Sequence, residues 1–104
     1  MVMHLIQILL PTCDNLGRAI ECHHFQDLRQ RLIERYGGLT AYLRSPAEGV
    51  WKDEADETVH DDILLLEVMA DEVDHHWWRE FRQEFQSRLG QQDLIIRAQQ
   101  MELL

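Results

Sequence analysis

Hydrophobic positions along this chain alternate between two periods, 2 and 3.6, and the switches between them mark six elements. His4 to Leu10 is a short aliphatic run stopped by Pro11, as expected of a strand buried on at least one face. Thr12 to Ile20 carries Asp14-Asn15 and Gly17 and reads as a loop. From Glu21 onward, Phe25, Leu28, Leu32 and Tyr36 recur at helical spacing among Arg, Gln and Glu. Gly37-Gly38 supplies the stop, which predicts an amphipathic helix of about four turns. Leu39 to Arg44 alternates like a strand, Ser45-Pro46 interrupts it, and Gly49-Val50-Trp51 resumes it. Proline is tolerated on an edge strand and not in a central one, so this is an interrupted edge strand. Asp53 to Asp62 reads as a polar turn leading into Ile63 to Met69, the longest apolar run and the expected central strand. Asp74 is placed to cap a second helix, with Val73 and Trp78 as a hydrophobic staple. Trp78, Phe81 and Phe85 form its buried stripe and Gly90 ends it. Asp93 to Met101 gives the last strand.

The order βαββαβ, with right-handed crossovers, predicts an α+β ferredoxin-like sandwich. It would be a single domain over residues 1–104, with a four-stranded antiparallel sheet in the order 4-1-3-2. Two helices cover one face and the other is left open. Strand parity separates the faces, because successive side chains point to opposite sides. Ile6, Ile8, Leu10, Ala41, Leu43, Leu64, Leu66, Val68, Leu94, Ile96 and Ala98 form a uniformly apolar set and should meet the helices. The opposite parity places Leu5, Gln7, Leu9, Thr40, Tyr42, Arg44, Ile63, Leu65, Glu67, Met69, Ile95, Arg97 and Gln99 on the open face. Six of these are aliphatic or Met. Leaving them wet would forgo on the order of 9 to 18 kcal/mol, at about 1.5 to 3 kcal/mol each. That face is therefore expected to be covered, by a second subunit or by residues 45–60 of the same chain.

Among these apolar residues stands a polar group of Gln7, Glu67 and Arg97, with Tyr42 and Arg44 on the edge strand beyond Glu67. The strand order sets Gln7 between Glu67 and Arg97, so the arginine can meet the carboxylate through it. One expectation is a small polar pocket, with Glu67 as acid or base and Arg97 or Arg44 as anion holder. The plainer expectation is a charge-paired ladder that sets the register of a dimer. Trp51, on the interrupted strand, is a candidate wall of such a pocket.

Charge narrows the partners. Ten basic against nineteen acidic residues leave a formal net charge of -9, a field that repels nucleic acid and anionic membranes. The residues from Glu48 to Asp74 hold eleven of the acids with Lys52 as the sole base, a run expected to be solvated. Cys13 and Cys22 form no CxxC pair and are expected to be reduced thiols of a cytoplasmic protein. The first residues show neither a signal peptide nor a membrane span. His23-His24 and His75-His76 each point about 100 degrees apart on a helix and do not chelate like an i, i+4 pair. A metal site from His75 or His76 with Asp71 or Asp74 is the weaker alternative to solvated helix ends, so neither metal nor cofactor is expected. Of Trp77-Trp78, one belongs to the core and the other to a rim. No GxSxG, Walker loop, dinucleotide fingerprint, HExxH or EF-hand occurs.

Gly37-Gly38-Leu39-Thr40-Ala41-Tyr42, Arg44-Ser45-Pro46, Gly49-Val50-Trp51-Lys52, Glu67-Val68-Met69, Trp77-Trp78 and Ile96-Arg97-Ala98 together resemble a family of short bacterial proteins of unassigned function. The G-L-T, later Trp and helix-Gly-Gln layout is also similar to a secreted bacterial family, although Gln91-Gln92-Asp93 stands where that pattern has Gln-Glu. More broadly, the layout resembles dimeric ferredoxin-like barrels, which include small monooxygenases, isomerases and non-catalytic ligand binders. That resemblance is at the level of fold; the apolar open face and its polar group lead to the expectation of a homodimer that binds a small polar or anionic molecule there. A cofactor-independent enzyme using Glu67 or a histidine, and a protein-interaction module, are the alternatives.

Overall fold

The computed structural model describes the backbone of residues 2–52 and 58–104, with side chains over 2–42 and 63–104. Its elements are β1 (Val2–Pro11), α1 (Cys22–Tyr36), β2 (Thr40–Lys52), β3 (Thr58–Ala70), α2 (His75–Arg88) and β4 (Ile95–Glu102). The four strands form one antiparallel sheet in the order β2-β3-β1-β4, the expected 4-1-3-2 read from the other edge. This is the ferredoxin-like arrangement.

Most of the apolar parity set meets the helices as anticipated, with the side chain of Leu43 outside the described residues. Ile6, Ile8 and Leu10 of β1, Leu66 and Val68 of β3, and Leu94 just before β4 are buried against Leu28 and Leu32 of α1 and Trp78, Phe81 and Phe85 of α2. Ala98 departs from that set and is exposed. The helical layer reaches Ile96 on this edge strand and does not extend to Ala98. Trp78 is core, whereas Trp77 packs partly buried, edge-on to Tyr36.

Both helix boundaries have local causes. Gly37 takes φ 80°, and its N–H returns to the Ile33 carbonyl at 2.7 Å, closing α1 in the left-handed conformation glycine adopts freely. Asp74 caps α2 by accepting the Trp77 N–H on Oδ1 at 3.0 Å. This hydrogen bond, with Arg35 3.0 Å away, holds the Asp74 carboxyl below the usual carboxylate range. The two helices are also tied by charge. Arg31 grips both oxygens of Glu84 at 2.8 and 3.0 Å, and Arg88 meets Asp27 at 2.6 Å.

One expectation needs correction, and another, the interrupted edge strand, is met in enlarged form. The stretch 53–62 is not a turn throughout, because β3 begins at Thr58 and pairs through Asp62 with Lys52 to Glu48. Beyond the Pro11–Ile63 pair β1 supplies no partner, so this part of the hairpin is a two-stranded ladder. Backbone pairing of this kind places no periodic apolar demand on the sequence. The interruption in β2 is larger than a single bulge. Between Tyr42–Leu65 and Ala47–Ile63, β2 advances five residues while β3 advances two, and Ser45-Pro46 lies within that shift.

Candidate functional site

The strand registers assemble a polar row across the open sheet face. Gln7 of β1 stands directly opposite Glu67 of β3 on one side and Arg97 of β4 on the other, and Thr40 of β2 stands opposite Glu67. Opposed residues on neighbouring strands lie roughly 4.5 to 5.5 Å apart, so three side chains of this length bridge the row without strain. The Gln7 amide donates from Nε2 to Glu67 Oε2 at 2.6 Å, and its Oε1 accepts from Arg97 Nε at 2.8 Å. Chemistry dictates this orientation, since a carboxylate only accepts and a guanidinium only donates. Tyr42, opposite Leu65, reaches diagonally and donates its hydroxyl to Glu67 Oε1 at 2.8 Å.

Two consequences follow from this relay. Both carboxylate oxygens of Glu67 are engaged, and the carboxylate acting as acceptor holds the Tyr42 phenol above its ordinary pKa, as a proton donor. Arg97, by contrast, spends only Nε. Its two terminal amino groups have no hydrogen-bond partner among the described residues and sit at the exposed end of the row.

Apolar residues flank the row on both sides. Leu5 pairs with Met69 above it, and Leu9 pairs with Leu65 and Ile95 below. Met69 on the central strand β3 and Ile95 at the start of the edge strand β4 are 52% and 50% exposed, a large apolar area for one sheet face. No described side chain forms a wall over it. An open groove of about 630 Å³ lies elsewhere, between α1 and the start of β2, where Gln26, Arg29, Gln30 and Ile33 line it. Its lining offers one charged group and no acid or nucleophile, so the convergent polar chemistry of the molecule is in the row and not in the groove.

Of the six sequence-derived candidates, the structure brings Gln7, Tyr42, Glu67 and Arg97 into one hydrogen-bonded chain. Arg44 lies inside the register shift of β2, and Trp51 stands opposite Val59 in the outer hairpin. The side chains of both are outside the described residues. The alternative metal ligands do not converge. Asp74 is committed to capping Trp77 and to Arg35, and His76 pairs instead with Glu80 one turn along at 3.2 Å. A different group does converge, Glu21, His23 and His24 at the start of α1, which the 100-degree argument for adjacent histidines missed. The signal available in sequence was Glu21 directly before the helix, a residue whose side chain is free of capping duty.

Comparison with known proteins is informative at the level of fold. No family model matches the chain, and no curated protein matches it. Among solved structures, the divalent cation tolerance protein CutA1 from Thermus thermophilus superposes with a TM-score of 0.59 at 14% identity. That alignment covers 93% of this chain and 82% of that one. A phage SAM lyase in complex with S-methyl-5'-thioadenosine gives a TM-score of 0.62 at 11% identity, over 93% and 80% of the two chains. These likenesses establish a shared small α+β fold. Among the described residues no helix is long and apolar enough to cross a membrane.

Proposed function

We propose that this protein is a cytoplasmic homodimer that binds a small anionic molecule on the open sheet face, between the two copies. The observation that carries this reading is the half-used guanidinium of Arg97. Gln7 pins Nε at 2.8 Å and Glu67 in turn pins Gln7, so the terminal edge of the guanidinium is held still and free to grip a carboxylate or phosphate in bidentate fashion. Preorganisation of this kind lowers the entropy cost of binding. The apolar residues around the row supply the contact for a cover, and a second copy of the same chain offers a matching apolar face. Glu67 has both oxygens engaged, which favours a positioning role over proton transfer and hence a binder over an enzyme.

Two measurements test this reading. Light scattering across a dilution series should return twice the 12.4 kDa chain mass. Thermal shift against a panel of small carboxylates and phosphates should give a stabilising ligand whose effect is lost in Arg97→Ala, with the unliganded melting temperature nearly unchanged. A monomer at all concentrations would remove the cover, and an undiminished ligand shift in Arg97→Ala would remove the site.

A further inference from the structure

On the helical side of the molecule, three side chains with metal-binding atoms meet where β1 and its following loop hand over to α1. Glu21 occupies the N-cap position without capping, since its side chain makes no bond to the helix N–H groups. Its carboxylate turns to His23 instead, Oε2 lying 3.1 Å from Nδ1. The His23 and His24 rings lie with centroids 4.0 Å apart, tilted by 39°, despite their adjacent places in the sequence. One ligand atom from each of the three residues falls within 4.8 Å of the other two. Ligand atoms around a tetrahedral zinc stand about 3.3 Å apart, given bonds of about 2.0 to 2.1 Å. Glu21 and His23 are exposed and His24 is half-buried, so small side-chain rotations close that difference. The N-terminal end of a helix is positive and by itself repels a cation. Here the Glu21 carboxylate offsets it, while that of Asp27 is taken up by Arg88.

We propose that Glu21, His23 and His24 form a binding site for a divalent cation that prefers imidazole, such as Zn²⁺. Two imidazoles and one carboxylate suit zinc, nickel or copper and not the all-oxygen preference of calcium or magnesium.

Arg88 sets the affinity. It reaches across from the last turn of α2, donates Nε to His24 Nδ1 at 3.2 Å, and holds Asp27 and Glu84 with its terminal nitrogens at 2.6 and 3.2 Å. With Nδ1 accepting, the proton of neutral His24 sits on Nε2, the atom that would otherwise ligate. A metal must therefore draw His24 away from Arg88, and the cost of doing so weakens the site. His23 and Glu21 bind first, and His24 completes the set once released.

The test is titration of the metal-free protein with Zn²⁺ alone in a buffer that does not bind metal, on a Cys22→Ser background that removes the neighbouring thiol. One Zn²⁺ per chain is expected. Affinity should fall at least tenfold in His23→Ala and in His24→Ala, and severalfold in Glu21→Gln, while His76→Ala binds as the parent does. Circular dichroism should be unchanged in Glu21→Gln, because that side chain caps nothing. Arg88→Gln, which frees His24 from a fixed donor, should bind Zn²⁺ at least threefold more tightly. No binding by the parent, or affinity equal in His23→Ala and the parent, would overturn the site. Unchanged or weaker binding in Arg88→Gln would overturn the role given to Arg88.

Discussion

The two faces of one sheet obey opposite rules in this protein. On the helical face, alternate residues of β1 and β3, Ile6, Ile8, Leu66 and Val68, are 0 to 2% exposed and packed against aromatic residues of α2. On the open face their immediate neighbours are Gln7, Glu67 and Met69, joined by hydrogen bonds or left half in water. Stability is built on the first face, and the second is free to carry recognition. Mutations should therefore act on melting temperature from one side and on binding or association from the other.

The largest contrast is expected between Phe85 and Leu9. Phe85 is fully buried, so Phe85→Ala should cost about 3 to 5 kcal/mol by removing contacts and leaving a cavity. Leu9→Ala, half-buried on the open face, should cost about 1 kcal/mol in the isolated chain. Chemical denaturation at low protein concentration measures both, and equal losses would break the distinction between faces. At high concentration the Leu9→Ala loss should grow if the proposed dimer forms, since association would add its own stability.

Gly90 comes next. It sits at φ 61° in the hinge after α2, and a Cβ there would stand 2.9 Å from the Cβ of Asp14. Gly90→Ala should cost about 2 kcal/mol, from the left-handed conformation together with displacement of the loop that packs on it. Thermal unfolding reads this directly, and a loss below about 0.5 kcal/mol would show that the 12–20 loop yields without resistance.

A smaller effect is expected at Asp74, with a pH signature. Its folded pKa lies below the unfolded value because the Trp77 N–H and Arg35 favour the carboxylate. Its contribution is thus present above the ordinary carboxylate pKa and is lost as pH falls through the depressed folded value. Asp74→Asn should melt slightly lower than the parent at neutral pH, and the difference should vanish in strong acid. A difference that persists there would mean that capping by the neutral side chain, and not charge, sets the effect.

The least costly change should be the most informative about the open face. Glu67→Gln keeps the size of the side chain but removes the charge that raises the Tyr42 phenol above its ordinary pKa. Phenolate absorbance should show one tyrosine titrating at lower pH than in the parent, while Tyr36, raised chiefly by burial, stays put. The melting temperature should barely move. Two unshifted tyrosines would dissolve the relay in solution.

The helical face was legible in sequence because burial imposes a period. Ile6-x-Ile8-x-Leu10 and the Trp78, Phe81, Phe85 spacing each announce which side is dry, and Asp74 and Gly37 announce where helices begin and end. Even the row of Gln7, Glu67 and Arg97 could be inferred, since three strands of known order and parity leave few registers. The outer hairpin was not legible. Thr58 to Asp62 pairs with β2 alone, and its ladder makes no demand on side-chain type that a periodic reading can detect. The convergence of Glu21, His23 and His24 was missed for a related reason, since helix geometry alone sends adjacent side chains apart.

What the amino-acid order determined by itself was the set of elements, their order and the identity of the dry face, because hydrophobic burial and capping are local demands written in spacing. Tertiary structure decided which polar atoms touch. The direction of the Gln7 amide, the engagement of both Glu67 oxygens and the free edge of Arg97 depend on register and on chains of donors and acceptors spanning as many as ninety residues. Hydrogen bonds are directional and sensitive to displacements of less than one ångström, whereas burial tolerates them, so the fold and the membership of the row can be read from a pattern and its atomic contacts only from the tertiary structure.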